Sequence, residues 1–248
     1  MRKILLILWL AAGTLWSGQI TVAAAANVTY AMDALKKAFH ERYPQIDLQV
    51  TIGSSGKLTA QIRHGAPYDL FLSANMKYPE ALYREGLAVT HPLVYAQGSL
   101  VLLSTRKLPL EKGLGALKDP RVKRIAVANP KTAPYGIAAE QVLQHSGLYD
   151  TLKPHFIFGE SVGQTLTYAL KAADAGFVAK SALMSPKLAH LKKGEAWIDL
   201  DPSLYTPIDQ GIVVLKRAER NSDAAAFFTF MFTKKARSIL KSYGYRLP

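Results

Sequence analysis

The sequence has 248 residues, 31 of them Lys or Arg against 18 Asp or Glu, for a formal charge of +13. It contains no cysteine, which excludes disulfides, a lipid-bearing cysteine and thiol chemistry. The positive balance favours anionic partners, but the basic residues are scattered in pairs such as Lys36–Lys37 and Lys192–Lys193, so a nucleic-acid partner is not expected.

The chain opens with Met1-Arg2-Lys3 and an apolar run from Ile4 to Leu15. This is the pattern of a secretory signal peptide, and the run falls short of the ~20 residues of a membrane span. The mature protein is therefore expected to be exported and soluble. The next stretch, "ITVAAAANVTYAM" (residues 20–32), has two readings. Its alanines suit a cleavage site, or Ile20 to Ala24 is a strand and Ala25 to Asn27 a turn into a helix.

Beyond it, strand-like apolar runs alternate with helical patterns, which predicts an α/β fold with mainly parallel sheets. Four runs end in a turn of small and polar residues that opens a helix. "ITVAA" passes through Ala25-Ala26-Asn27, "IDLQVTI" through "GSSG" (Gly53 to Gly56), "RIAVA" through "NPKTAPYG", and "HFIF" through "GESVGQ". Asn27 reads as an N-cap, Pro134 as a first-turn proline, and "SVGQ" (Ser161 to Gln164) as a capping box. "SLVLLS" (Ser99 to Ser104) and "GIVVLK" (Gly211 to Lys216) read as strands without such loops. They suggest a two-strand hinge, with lobe 1 formed by residues 19–96 plus 217–248 and lobe 2 by residues 97–216. The last thirty residues predict two amphipathic helices and a tail over lobe 1.

Helix N-termini carry unpaired N–H groups and partial positive charge, so four of them at strand ends make a site for a compact anion. Ser54 and Ser55 offer hydroxyls, Asn27 an amide, and Gly53 and Gly56 allow close approach. Other chemistries fit poorly. "GSSGK" lacks the first glycine and the final Ser/Thr of a phosphate loop, with Thr51 and Leu58 in those places. The six histidines show no metal-ligand spacing, and no GxSxG or SxxK supports a hydrolase built on Ser54 or Ser55. Tyr243 and Tyr245 are expected to serve core packing.

Taken together, "AAAANVTYAMDALKKAF", "GSSGKLTAQIRHGAPYDLFLSAN", "IAVANPKTAPYGIAAEQVL", "GESVGQTLTYALKAADAGFVAKSAL" and "ILKSYGYRLP" resemble the periplasmic molybdate-binding proteins of ABC transporters, within the type II periplasmic binding proteins. The resemblance covers nearly all of the chain after residue 19. It implies a two-lobed, hinged, monomeric binding protein that is not an enzyme and needs no cofactor. Such a protein closes on molybdate or tungstate and docks on a permease with its ATPase. The metal would be held only as its oxyanion, without direct protein ligands. The resemblance places oxygen-binding roles at Asn27, Ser55, Tyr135 and Val162, the last two through main-chain N–H groups. Ala26 and Ser54 are further candidates. A tyrosine donor of some members falls at Ala179, and a threonine of others at Ala26, so side-chain donors are fewer here. It also implies that residues 1–18 are the signal peptide, that the mature chain starts near Gly18–Gln19 and resides in the periplasm, and that Gln19 to Ala24 is the first core strand. A binder of sulfate, phosphate or a small organic acid is the alternative, with a serine-dependent hydrolase behind it.

Overall fold

The computed structural model describes residues 18–248; apart from Gly18, the expected signal peptide lies outside the described residues. The first strand, β1 (Gly18–Ala25), runs through a short 3-10 turn (Ala26–Val28) into α1 (Thr29–Arg42). Next come β2 (Ile46–Gly53), α2 (Ser55–Arg63), β3 (Leu70–Leu72), α3 (Lys77–Arg84), β4 (Leu93–Gly98) and β5 (Leu100–Leu103). The middle of the chain holds β6 (Ile125–Ala128), α4 (Pro134–His145), α5 (Tyr149–Leu152), β7 (Phe156–Gly159), α6 (Val162–Lys171), β8 (Ala175–Ala179), α7 (Lys180–Leu183) and β9 (Trp197–Asp199). It closes with β10 (Ile208–Val214), α8 (Ser222–Phe230) and α9 (Lys234–Ser242).

These strands form two five-stranded sheets, ordered β2-β1-β3-β10-β4 and β7-β6-β8-β5-β9. In each, the first three strands are parallel and the fourth runs against its neighbours. The fold is the expected two-lobed α/β architecture, and its sheets are mixed, each with two parallel and two antiparallel pairings. Burial on both faces explains the nearly unbroken apolar strand runs. In lobe 1, Ile20, Val22 and Ala24 face α1, α8 and α9, while Ala23, Phe71 and Val213 face α2 and α3. In lobe 2, Ile125 and Val127 pack toward α4, and Ala126 toward α6 and α7.

The chain crosses to the second sheet at Ser99, between β4 and β5, where the "SLVLLS" pattern predicts a crossing. The return comes earlier than the sequence suggests. β10, assigned from sequence to lobe 2, is laddered antiparallel to β3 and β4 of the first sheet, so the crossing lies between β9 and β10. An apolar run such as "GIVVLK" fits the interior of either sheet, and only its partners decide which.

Register places the loops. β1 and β2 pair from Gly18↔Ile46 to Ala25↔Gly53, so both strands end level and their following loops start side by side. β6 and β7 do the same in lobe 2, ending at Ala128↔Gly159. The alanines after Ile20 are thus core strand, and cleavage after Ala24 or Ala26 would remove a central ladder.

Candidate functional site

The four level loop ends meet at one cavity between the lobes. Ala25, Ala26 and Asn27 line it from the first loop, and Gly53, Ser54 and Ser55 from the second. Ala133, Pro134 and Tyr135 line it from the third, Ser161 and Val162 from the fourth, and Ala74 closes one side. The cavity is small, about 10 Å³, enough for a single small guest and too little for a sugar or peptide. A wider groove beside it, about 150 Å³, is lined mainly by apolar groups such as Ile137, Ala138 and Ile208. It lacks the converging helix ends, so the smaller cavity is the candidate site.

Each wall is a helix start. Ser55 is the first residue of α2, Pro134 and Tyr135 open α4, and Val162 opens α6. Their leading N–H groups have no partner within the helix, and each helix end carries positive potential. Pro134 at N1 leaves the donors of the first turn to the residues after it, as its place in the sequence predicts.

Ser54 and Ser55 are buried. The Ser55 hydroxyl accepts a hydrogen bond from the Ala74 N–H at 2.9 Å, which leaves its own proton free to donate. Ser54 is the N-cap of α2, yet its side chain caps nothing and its buried Oγ has no partner. The capping pattern at the fourth loop is half realised, the Gln164 side chain reaching the residue before the cap. Ser161 Oγ accepts from the Gln164 N–H at 3.3 Å, while Gln164 Oε1 accepts from the Glu160 N–H at 2.6 Å. Glu160 turns outward to pair with Lys57 at 2.6 Å.

Asn27 differs from expectation. It lies inside the 3-10 turn, with Ala25 in the cap position, and makes no side-chain cap bond. Its Nδ2 donates to Gln210 Oε1 at 2.7 Å and to the Tyr245 hydroxyl at 2.8 Å. Both amide hydrogens are thereby committed within the protein, and the buried Oδ1 has no partner. Gln210 fixes this orientation, because its Nε2 donates to the Ile208 carbonyl at 2.9 Å and only its Oε1 can face Asn27. A register shift in β10 between Gln210 and Gly211 lies beside this side chain, the kind of bulge that re-aims a residue toward a site.

Three residues around Asn27 escape a sequence reading: Gln210, Ser181 and Tyr245. The Tyr245 ring does pack in the core of lobe 1, as predicted, but its hydroxyl also donates to the Asn27 carbonyl at 3.0 Å. Burial pushes this phenol well above its ordinary range, so it stays a donor. Ala74 was legible in principle, since it sits at a third strand end beside the first two. Ala179 is buried at the end of β8 and brings no donor. Ala26 lines the cavity and faces Gly163 of α6, where an added Cβ would come within 3.4 Å of the Ala26 methyl. Small residues on both sides let the lobes approach this closely.

One more contact bridges the lobes near the cavity. The Gly56 N–H donates to the Thr132 carbonyl at 2.9 Å, and a Cβ on Gly56 would stand 3.0 Å from that main chain. The two lobes therefore touch across the cavity.

Residues 20–246 match the family described as bacterial extracellular solute-binding proteins. The chain belongs to that family. Among similar members, this solute-binding protein is 35% identical over 231 residues to the molybdate-binding protein of Rhodobacter capsulatus, covering 92% of this chain and 88% of that one. It is 36% identical over 233 residues to the molybdate-binding protein of Azotobacter vinelandii, covering 93% and 91%. The solved structure of the periplasmic molybdate-binding protein from Azotobacter vinelandii superposes with a TM-score of 0.86 at 34% identity, covering 92% of this solute-binding protein and 99% of that chain. The family resemblance read from the sequence is borne out.

Proposed function

We propose that the protein captures molybdate, and by the same geometry tungstate, between its lobes in the periplasm and delivers it as a monomer to the permease and ATPase of an ABC importer. One observation carries the reading: four helix N-termini converge on a cavity for a single compact guest, beside two buried serine hydroxyls with protons to give. The similarity to molybdate-binding proteins over nearly the whole chain supports the choice of anion.

In this proposal the oxyanion accepts main-chain N–H bonds from Asn27, Ser55, Tyr135 and Val162 and hydroxyl bonds from Ser55 and Ser54. Ala26 is an apolar wall that lets the guest reach the backbone. The Asn27 side chain gives no hydrogen bond to the guest, because its donors hold Gln210 and Tyr245. Fixed neutral donors stabilise a dianion without a salt bridge because they are oriented before it arrives. The cavity wall carries no histidine, lysine or carboxylate, so Ser54 and Ser55 have no base to activate them and the protein acts as a binder.

A second reading rests on the unpartnered Asn27 Oδ1. An acceptor in the cavity wall suits a protonated oxyanion such as hydrogen phosphate, whose O–H would donate to it. Thermal unfolding with molybdate, tungstate, sulfate and phosphate at matched ionic strength separates the two. A ligand at 100 times its Kd stabilises by about 2.7 kcal/mol, which raises Tm by roughly 5–10 °C for a chain of this size. A shift with molybdate and tungstate alone supports the first reading. A shift with phosphate moves the assignment to the second.

A further inference from the structure

We propose that Ser181 and the tail residue Tyr245 form a latch that couples lobe closure to the first loop of the site, a role that rests on the binding function proposed above. Residues distant in sequence converge on Asn27, and one of them comes from the opposite lobe. The Asn27 carbonyl accepts from Ser181 Oγ of α7 at 2.8 Å and from the Tyr245 hydroxyl at 3.0 Å. Tyr245 in turn accepts from Asn27 Nδ2 at 2.8 Å. All three residues are buried, at 0% exposure for Asn27, 3% for Ser181 and 4% for Tyr245.

The tail is positioned to act between the lobes. It is tied to lobe 1 by a reciprocal pair, Gln97 N–H to the Arg246 carbonyl at 2.8 Å and Arg246 N–H to the Gln97 carbonyl at 2.9 Å. On its other side Gly244, with φ +78°, lies against Lys180 and Met184 at the two ends of α7; a Cβ there would come within 3.0–3.2 Å of their side chains. Left-handed backbone at this point needs glycine. Hinge opening carries α7 away with lobe 2. It therefore breaks the Ser181–Asn27 bond and uncovers the Tyr245 hydroxyl, while the Tyr245–Asn27 pair stays within lobe 1. Closure restores the second donor to a carbonyl that would otherwise lose one in a buried place. Both residues are positioning residues, acting on the anion through Asn27 and through the closed population.

Closure can be read directly because the chain has no cysteine of its own. Spin labels on Lys57→Cys and Glu160→Cys, whose side chains meet across the cleft, give a short separation when the lobes close. The distance distribution is recorded for the processed full chain with and without molybdate, in the parent, Ser181→Ala and Tyr245→Phe. Tyr245→Phe keeps the ring in the core, and Ser181→Ala removes one hydroxyl from α7, so each checks the other against misfolding. The expected result is a smaller short-distance population in both variants and about a tenfold higher molybdate concentration to restore it, the effect of one buried hydrogen bond. Unchanged distributions and titrations in both variants overturn the latch. So does a parent with no short-distance population under either condition. If molybdate leaves the parent unchanged while the variants still lose the closed population, the choice of anion fails and the latch stands.

Discussion

Lobe 1 and lobe 2 build their halves of the cavity from the same parts but equip them differently. Each presents two helix starts at strand ends held level by parallel register. Lobe 1 adds side chains with protons to give: Ser55, whose hydroxyl already accepts from Ala74, and Ser54, whose hydroxyl bonds nothing. In lobe 2 Ser161 also lines the cavity, where its hydroxyl accepts the Gln164 N–H that caps α6 and keeps its own proton, and the Tyr135 ring is turned into the core. Beside Ser161, lobe 2 presents main chain framed by Ala133, Pro134 and Val162. Lobe 1 therefore relies more on side chains, with two buried serines, and lobe 2 more on backbone geometry.

The largest effect should come from breaking the backbone half. Gly136 lies in the first turn of α4, and a Cβ there would stand 2.1 Å from the Ala128 carbonyl oxygen. Gly136→Ala forces α4 off β6, at a cost of at least about 1–3 kcal/mol. Denaturant unfolding should show that loss, and anion binding should disappear with the displaced N–H groups. Next comes the side-chain half. Ser55→Ala removes a donor and leaves the Ala74 N–H without its partner, which costs about 1.5–3 kcal/mol, or roughly 10- to 150-fold in Kd by calorimetry. An unchanged Kd would remove Ser55 from the site.

A smaller effect is expected at the rim. Lys57 and Glu160 are more than half exposed, so Lys57→Ala should weaken binding by less than about 1 kcal/mol, and the difference should fade at high salt. The smallest effect sharpens the contrast. Val162→Ala keeps the N–H at the start of α6, so Kd should stay within about threefold, below the energy of one hydrogen bond. A large loss of affinity there would show that lobe 2 uses side chains after all.

The same contrast explains what a reader of the sequence can see. The loops around Asn27, Ser55, Tyr135 and Val162 were legible because short side chains, a proline and a capping pattern cluster where apolar runs end. The alternation that builds two α/β sheets was legible for the same reason. The sheet membership of β10 was not, since Ile212, Val213 and Val214 would satisfy either core. Nor was the state of the Asn27 amide. A cap residue and a buried amide tied to its own lobe look alike until Gln210 and Tyr245 arrive from far along the chain, and Ser181 reaches only the Asn27 carbonyl from across the cleft. Tyr245 reads as a core aromatic because its ring is one; only the position of its hydroxyl shows the rest.

The placement of β10 also bears on the order in which the protein assembles. The second sheet is made from one uninterrupted stretch, β5 to β9, and can form as soon as that stretch is available. The first sheet must wait. Its strand β3 pairs with β10, its helices α8 and α9 cover the β1 face, and Arg246 bonds to Gln97. Closing so long a loop costs entropy before any contact compensates it, and domains tend to fold as units during synthesis. The inserted lobe should therefore appear first in refolding, as early protection of β6 and β8 amides in pulsed hydrogen exchange. The lobe that contains the beginning of the chain is completed only by its end.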